Sequence, residues 1–214
     1  MRQSTLFKFV LGLAAVALFT VLFIRSARNT GAEPYAIEQA QLRGWTIALD
    51  PAPDASGVVL ALWPPSELAP PLFRQVFSRS GLSLRGPNPA AMPLVLKAEF
   101  DRAGIGRAVP PEALEQLARE NGLDSMPPTP TCLAHRRLSE PGSTREVFFM
   151  RFEFPPFAAL RRAIAARLDA AAGFDHAGLS PVVIIAATDG NFGRWLPLEG
   201  DATEDCVAPI AVQE

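Results

Sequence analysis

This sequence has little of what most catalytic sites are built from. In 214 residues there are two histidines, two cysteines and one tyrosine. Only 20% of the residues are charged, and Lys8 and Lys97 are the only lysines against eighteen arginines. No Gly-x-Ser-x-Gly elbow occurs, and "GIG" at 104–106 lacks the rest of a dinucleotide fingerprint. The scarcity of histidine and cysteine also disfavours a metal centre. Cys132-x-x-His135 offers two ligands where a structural zinc site takes four, and on a strand residues i and i+3 point to opposite faces. The composition therefore predicts no cofactor and no metal.

A surplus of positive charge is missing as well. Residues 1–28 carry Arg2, Lys8, Arg25 and Arg28 and no acid. Setting these four aside leaves 16 basic against 22 acidic residues, net −6 over residues 29–214. A chain that grips phosphates normally shows a basic patch, so nucleic acid is excluded as a partner.

What the sequence does have is apolar residues, at 49%, and 21 prolines, many paired at element boundaries. The run "FVLGLAAVALFTVLFI" (9–24) is uncharged. As a helix it would span about 24 Å, which predicts a single membrane anchor over residues 1–25, in contact with lipid through 9–24. Lys8, Arg25 and Arg28 would flank it at the headgroups. A signal peptide cleaved after Ala32 is the competing reading, with the two arginines standing awkwardly between the apolar run and the cut. Cys132 and Cys206 are expected to pair in an oxidising compartment, which puts the folded part outside the cytoplasm, at a bacterial inner membrane.

After a connector at 26–44, periodicity predicts a mixed α+β body. "WTIALD" (45–50) and "VVLALW" (58–63) alternate as a hairpin, Pro-Pro at 70–71 opens a helix ended by Gly81, and a strand follows at 94–100. "PPEALEQLARENG" is an amphipathic helix with a C-terminal stop. A second hairpin, 132–139 with 145–154, leads to the helix "PPFAALRRAIAARLDAAAG" and the buried strand "VVIIAA". Strands joined through a helix are expected to lie parallel, by right-handed crossover. Phe148, Met150, Phe152 and Phe154 share one strand face, while Val147 and Phe149 on the other need a cover. Arg161-Arg162 reads as a solvated helix face.

The two halves echo each other. "ALWPPSELAPPLFRQVFSRSG" leads to "MPLVLKAEFDRAGIGR", and "FEFPPFAALRRAIAARLDAAAG" leads to "SPVVIIAATDGNFGR". The fold class expected is one transmembrane helix plus a mixed sheet with packed helices, arranged as two duplicated β-β-α-β units over 45–139 and 140–214, the second partial and ending in an acidic tail. Asp101 and Asp189 would then occupy equivalent strand ends with a shared structural job. Asp-Gly is a strong turn former, so Asp189 reads first as a turn residue and second as a catalytic acid beyond a strand's carboxyl end.

"PLVLKAEFDRAGIGRAVPPEALEQLARENGL" resembles the periplasmic domain of the ExbD/TolR family, and "PVVIIAATDGNFGR" is similar, with Phe192-Gly193 at the matching place. The resemblance implies an extracytoplasmic α/β domain behind one membrane span. That family carries an aspartate within its membrane helix, coupled to proton flow, and residues 9–24 hold no ionisable group. The proton-driven activity is therefore not implied, and a periplasmic interaction module is.

These readings converge on a membrane-anchored, extracytoplasmic protein-binding module, a scaffold or accessory subunit that meets other membrane or envelope proteins. Two alternatives stand beside it: an anchored periplasmic hydrolase using Asp189 with His135 or His176, and a secreted soluble ligand-binding domain.

Overall fold

The computed structural model describes residues 16, 18, 20, 33–50, 57–169, 172–198 and 205–214. Among them no helix is long and apolar enough to cross a membrane, which corrects the transmembrane part of the expected fold class. Of the run 9–24 only Val16, Leu18 and Thr20 are described, all helical, and Lys8, Arg25 and Arg28 lie outside the described residues. Met1–Glu33 forms one unit and Pro34–Glu214 another; the second carries the body of the fold.

That body is mixed α+β. It contains β1 (Tyr35–Glu38), β2 (Thr46–Leu49), β3 (Val58–Trp63), α1 (Ala69–Ser80), β4 (Met92–Leu96), α2 (Lys97–Arg102), α3 (Ile105–Ala108) and α4 (Pro111–Glu120). Then come β5 (Thr129–Glu140), β6 (Ser143–Glu153), α5 (Pro155–Ala165), β7 (Val182–Ala187) and β8 (Cys206–Gln213). Five strands pair in the order β1-β8-β5-β6-β7 and three in the order β2-β3-β4.

The local signals act as expected where they are strong. Pro at the first positions opens α1, α4 and α5, since its missing N–H has no partner there anyway. Gly81 closes α1 in the left-handed conformation, at φ 66°. The β5–β6 hairpin turns at Pro141-Gly142, with Glu140 opposite Ser143.

Three expectations change. First, strands joined by a helix are antiparallel neighbours, not parallel ones: β3 pairs β4, and β6 pairs β7, both antiparallel. Helices α1 and α5 thus return the chain to the edge it has just left. Second, the strand predicted over 94–100 ends at Leu96, where Glu99 reaches back to accept the Leu96 N–H at 3.1 Å and starts α2. Third, 206–213, read as part of a tail, is a strand between β5 and β1.

Arg161 is the largest correction to the reading of the surface. It is fully buried, although its neighbour in the sequence is exposed. All five of its N–H donors are used. Nη2 and Nη1 donate to Glu99 at 2.6 and 3.1 Å, Nη1 also to the Leu94 carbonyl, Nε to the His176 carbonyl and Nη2 to the Asp175 carbonyl. Its guanidinium lies 4.8 Å from the Phe174 ring centroid. One side chain thereby fastens α5 to β4, α2 and the 174–176 segment, at the outer edge of β4 where a further strand would otherwise be needed.

The main core holds Phe148, Met150, Phe152 and Phe154 from one face of β6 and its end, with Leu72, Leu94, Leu114 and Leu160 from strand and helices. The opposite face of β6, Val147 and Phe149, packs with Ile184, Trp195 and Leu198. The cover these residues required is supplied by the chain itself.

Candidate functional site

A cleft of about 620 Å³ opens where the 87–93 segment faces the 189–196 segment. Trp63 and Val58 of β3, Pro93 of β4 and Ile184 of β7 form its floor and walls. Pro87, Asn88 and Pro89 line one side; Asp189, Asn191, Phe192 and Leu196 line the other.

Each wall has a local cause. Arg85 makes one antiparallel bridge with Ala187, its N–H donating to the Ala187 carbonyl at 2.8 Å and its carbonyl accepting the Ala187 N–H at 2.9 Å. The next hydrogen-bonding residue along that segment would be Pro87, which has no N–H, so the ladder stops and the chain leaves β7. The far wall is an Asp-Gly turn. Gly190 sits at φ 66°, a conformation that favours glycine, and a Cβ there would come within 2.8 Å of the Arg85 side chain and force it to move.

Asp189 organises that turn. Its Oδ1 accepts the Asn191 N–H at 3.3 Å and the Trp195 indole N–H at 3.1 Å. The first bond closes the turn and the second seats Trp195 over Val147 and Phe149, which sets Phe192 at the cleft. Oδ2 lies 3.5 Å from Arg145 Nη1 and is buried without a hydrogen-bond partner. Arg145 also pairs with Glu140.

The expected equivalence of Asp101 and Asp189 is corrected. Asp101 lies inside α2, exposed, and pairs with Lys97 one turn back at 3.1 Å. Only its backbone carbonyl serves the turn that follows, accepting the Gly104 N–H at 3.4 Å.

The histidines stand elsewhere. His135 Nε2 shares a hydrogen bond with Glu146 Oε2 at 2.7 Å, and its ring stacks on Phe148 at 4.4 Å between centroids. Glu146, buried at 8% side-chain exposure, also takes Arg137 at 3.0 Å. His135, Arg137, Glu146 and Phe148 belong to the main-core face of the β5–β6 hairpin, whereas Asp189 meets Arg145 and Trp195 on the other. His176 is exposed and contributes its backbone carbonyl to Arg161. The described contacts bring Asp189 together with neither histidine.

Cys132 and Cys206 form a disulfide, Cα atoms 5.8 Å apart, between β5 and β8. They stand near, not opposite, each other in the ladder: Cys132 faces Pro209 and Cys206 faces Ala134. Among the described residues no group of three or more His, Cys, Asp or Glu could hold a metal ion.

Sequence reasoning singled out Asp189 but not the cleft, whose lining comes from segments more than a hundred residues apart, and noted Phe192 only within the family resemblance. Comparison with known protein families, with curated proteins and with solved structures returns no match to this chain.

Proposed function

We propose that the chain is an extracytoplasmic protein-binding module, a scaffold or accessory subunit of a cell-envelope complex, which receives a segment of its partner in the cleft between residues 87–93 and 189–196. The observation that carries this reading is the lining. Trp63, Phe192, Leu196 and three prolines give an open, mostly apolar trough with a few fixed polar groups. Aromatic anchors with little side-chain freedom are what protein-recognition surfaces favour. The disulfide supports a compartment where thiols are oxidised. The likeness of 93–123 and 181–194 to the ExbD/TolR periplasmic domain points the same way.

A photo-crosslinking amino acid at Phe192 tests the proposal in cells, with one at the exposed Phe77 of α1 as control. Position 192 should give a discrete adduct with one protein, and position 77 should not. Identical or absent adducts from both positions, together with ester or amide hydrolysis lost in Asp189→Asn, would replace it by the hydrolase reading.

A further inference from the structure

The five-stranded sheet is held differently towards its two ends. At one end every residue of β7 is buried, and β6 pairs with it from Val147 to Arg151. Towards the other, β8 lies between β5 and β1, yet Ala208 is its only buried residue, and Val207 and Val212 are 48% and 47% exposed. β5 pairs with β8 at Cys132, Leu133 and Ala134, with a register shift before the last, and Pro209 of β8 has no N–H to give. β1 has its own moorings. Tyr35 and Ile37 are buried in the main core. The Ala36 N–H donates to the Gln75 side-chain amide of α1 at 2.9 Å and the Ala36 carbonyl accepts from it at 2.7 Å, while Arg79 donates to the Pro34 carbonyl at 3.2 Å. The Cys132–Cys206 bridge fastens β8 to β5. Its two ends differ: Cys132 is 6% exposed and packs with Val147 and Phe149, whereas Cys206 is exposed.

A strand with one buried residue has little of the apolar burial that keeps β6 and β7 in place, so its attachment rests on the bridge. We propose that Cys132–Cys206 is a reversible redox latch: an external dithiol opens it, and β8 then leaves the sheet while the rest of the fold stays. The accessible sulfur is that of Cys206. A thiolate of the dithiol attacks Cys206 Sγ, forming a mixed disulfide as the bond to Cys132 Sγ breaks. The electron pair leaves on Cys132 Sγ, which takes a proton from water. The second thiol of the reductant, as its thiolate, then attacks its own partner sulfur and releases Cys206, which is protonated in turn. The external dithiol ends as a disulfide and the chain as a dithiol, two electrons having passed between them. What remains is β5-β6-β7 as a three-stranded sheet, with β1 held apart on α1 by Gln75 and Arg79. The latch does not depend on what the cleft between 87–93 and 189–196 binds.

The test is residue-resolved amide hydrogen exchange on the full chain, with and without dithiothreitol. Reduction should speed exchange across 206–213 by about a hundredfold. Amides of 147–151 and 183–187 should keep their protection, and so should Ala36, whose N–H goes to Gln75 and not to β8. Reoxidation with glutathione disulfide should restore the slow exchange. The rate of bridge reduction should rise in proportion to dithiothreitol and stay unchanged in sub-denaturing urea, because the attack takes place on the folded chain. The double variant Cys132→Ser with Cys206→Ser should exchange like the reduced wild type and show no response to dithiothreitol. Unchanged protection at 206–213 after reduction would make the bridge a passive link and overturn the proposal. Loss of protection throughout β6 and β7, or a double variant that does not fold, would make it a staple of the whole domain and overturn the proposal equally. A reduction rate independent of dithiothreitol, set by global unfolding, would do the same.

Discussion

The units β2-β3-α1-β4 and β5-β6-α5-β7 are laid out alike, each a hairpin, a helix and a third strand antiparallel to the second. They part at the end of the third strand. After β4 the chain turns straight into α2, and Glu99 serves both the Leu96 N–H and the buried Arg161. After β7 it makes an Asp-Gly turn whose carboxylate holds Trp195 and leaves one oxygen without a hydrogen bond. A shared topology thus ends once in a fully satisfied polar lock and once in an incompletely satisfied rim. The first sort of ending stabilises; the second keeps a buried carboxylate oxygen offset only by the Arg145 charge 3.5 Å away.

Breaking the lock should have the largest effect. Arg161→Met leaves Glu99 unpaired and strands three backbone carbonyls, for a loss of about 3–5 kcal/mol in a denaturant titration. Arg161→Lys should recover only part of it, because a single ammonium cannot reproduce a five-donor fork. A wild-type midpoint for Arg161→Met would show that the lock contributes nothing. Removing the disulfide by Cys132→Ser with Cys206→Ser comes next, about 2–4 kcal/mol for a bridge between residues 74 apart, read as a lowered Tm.

Asp189→Asn and Asp101→Asn compare the two endings directly. The first should cost about 1–2 kcal/mol and alter the Trp195 fluorescence, since its carboxylate accepts from the indole. The second should fall within about 0.5 kcal/mol, because an exposed i,i+4 pair contributes little. Equal effects would erase the distinction between them.

The smallest effect concerns β1. Burial raises the Tyr35 phenol above its usual 10.0, and Arg79 opposes that rise only in part. A phenol raised in the folded state favours the protonated form, so the associated stability is complete below pH 10 and declines as pH climbs through the folded value. Tyr35→Phe should flatten that decline in urea midpoints taken across this range.

Elements with a complete local signal were legible. Paired prolines before an apolar stripe described the starts of α1 and α5 and Gly81 the end of α1, whereas α5 closes at Ala165, short of the Gly173 stop the sequence suggested; the alternation of Phe148, Met150 and Phe152 described β6. Arg161 was misread because its neighbours Leu160 and Ile164 already complete the stripe and an arginine beside it looks solvated; only Glu99, 62 residues away, reveals otherwise. Its partner did leave a trace, a glutamate three residues after Leu96, where a helix start accepts one. The direction of β4 and β7 was lost to a general preference for crossover connections, which says nothing about a helix that returns to the same edge. β1 was missed inside the connector read at 26–44: Tyr35 and Ile37 do alternate with Ala36 and Glu38, but four residues whose strand neighbour lies at 210–213 are too short a run to read.

That pairing bears on how the molecule comes to exist. Tyr35–Glu38 leaves the ribosome long before Ile210–Gln213, the stretch it must lie beside. At ordinary rates of synthesis the delay is on the order of ten to thirty seconds. Throughout that interval the nascent chain carries an uncovered segment, and the five-stranded sheet stays incomplete until translation has delivered the strand that joins β1 to β5.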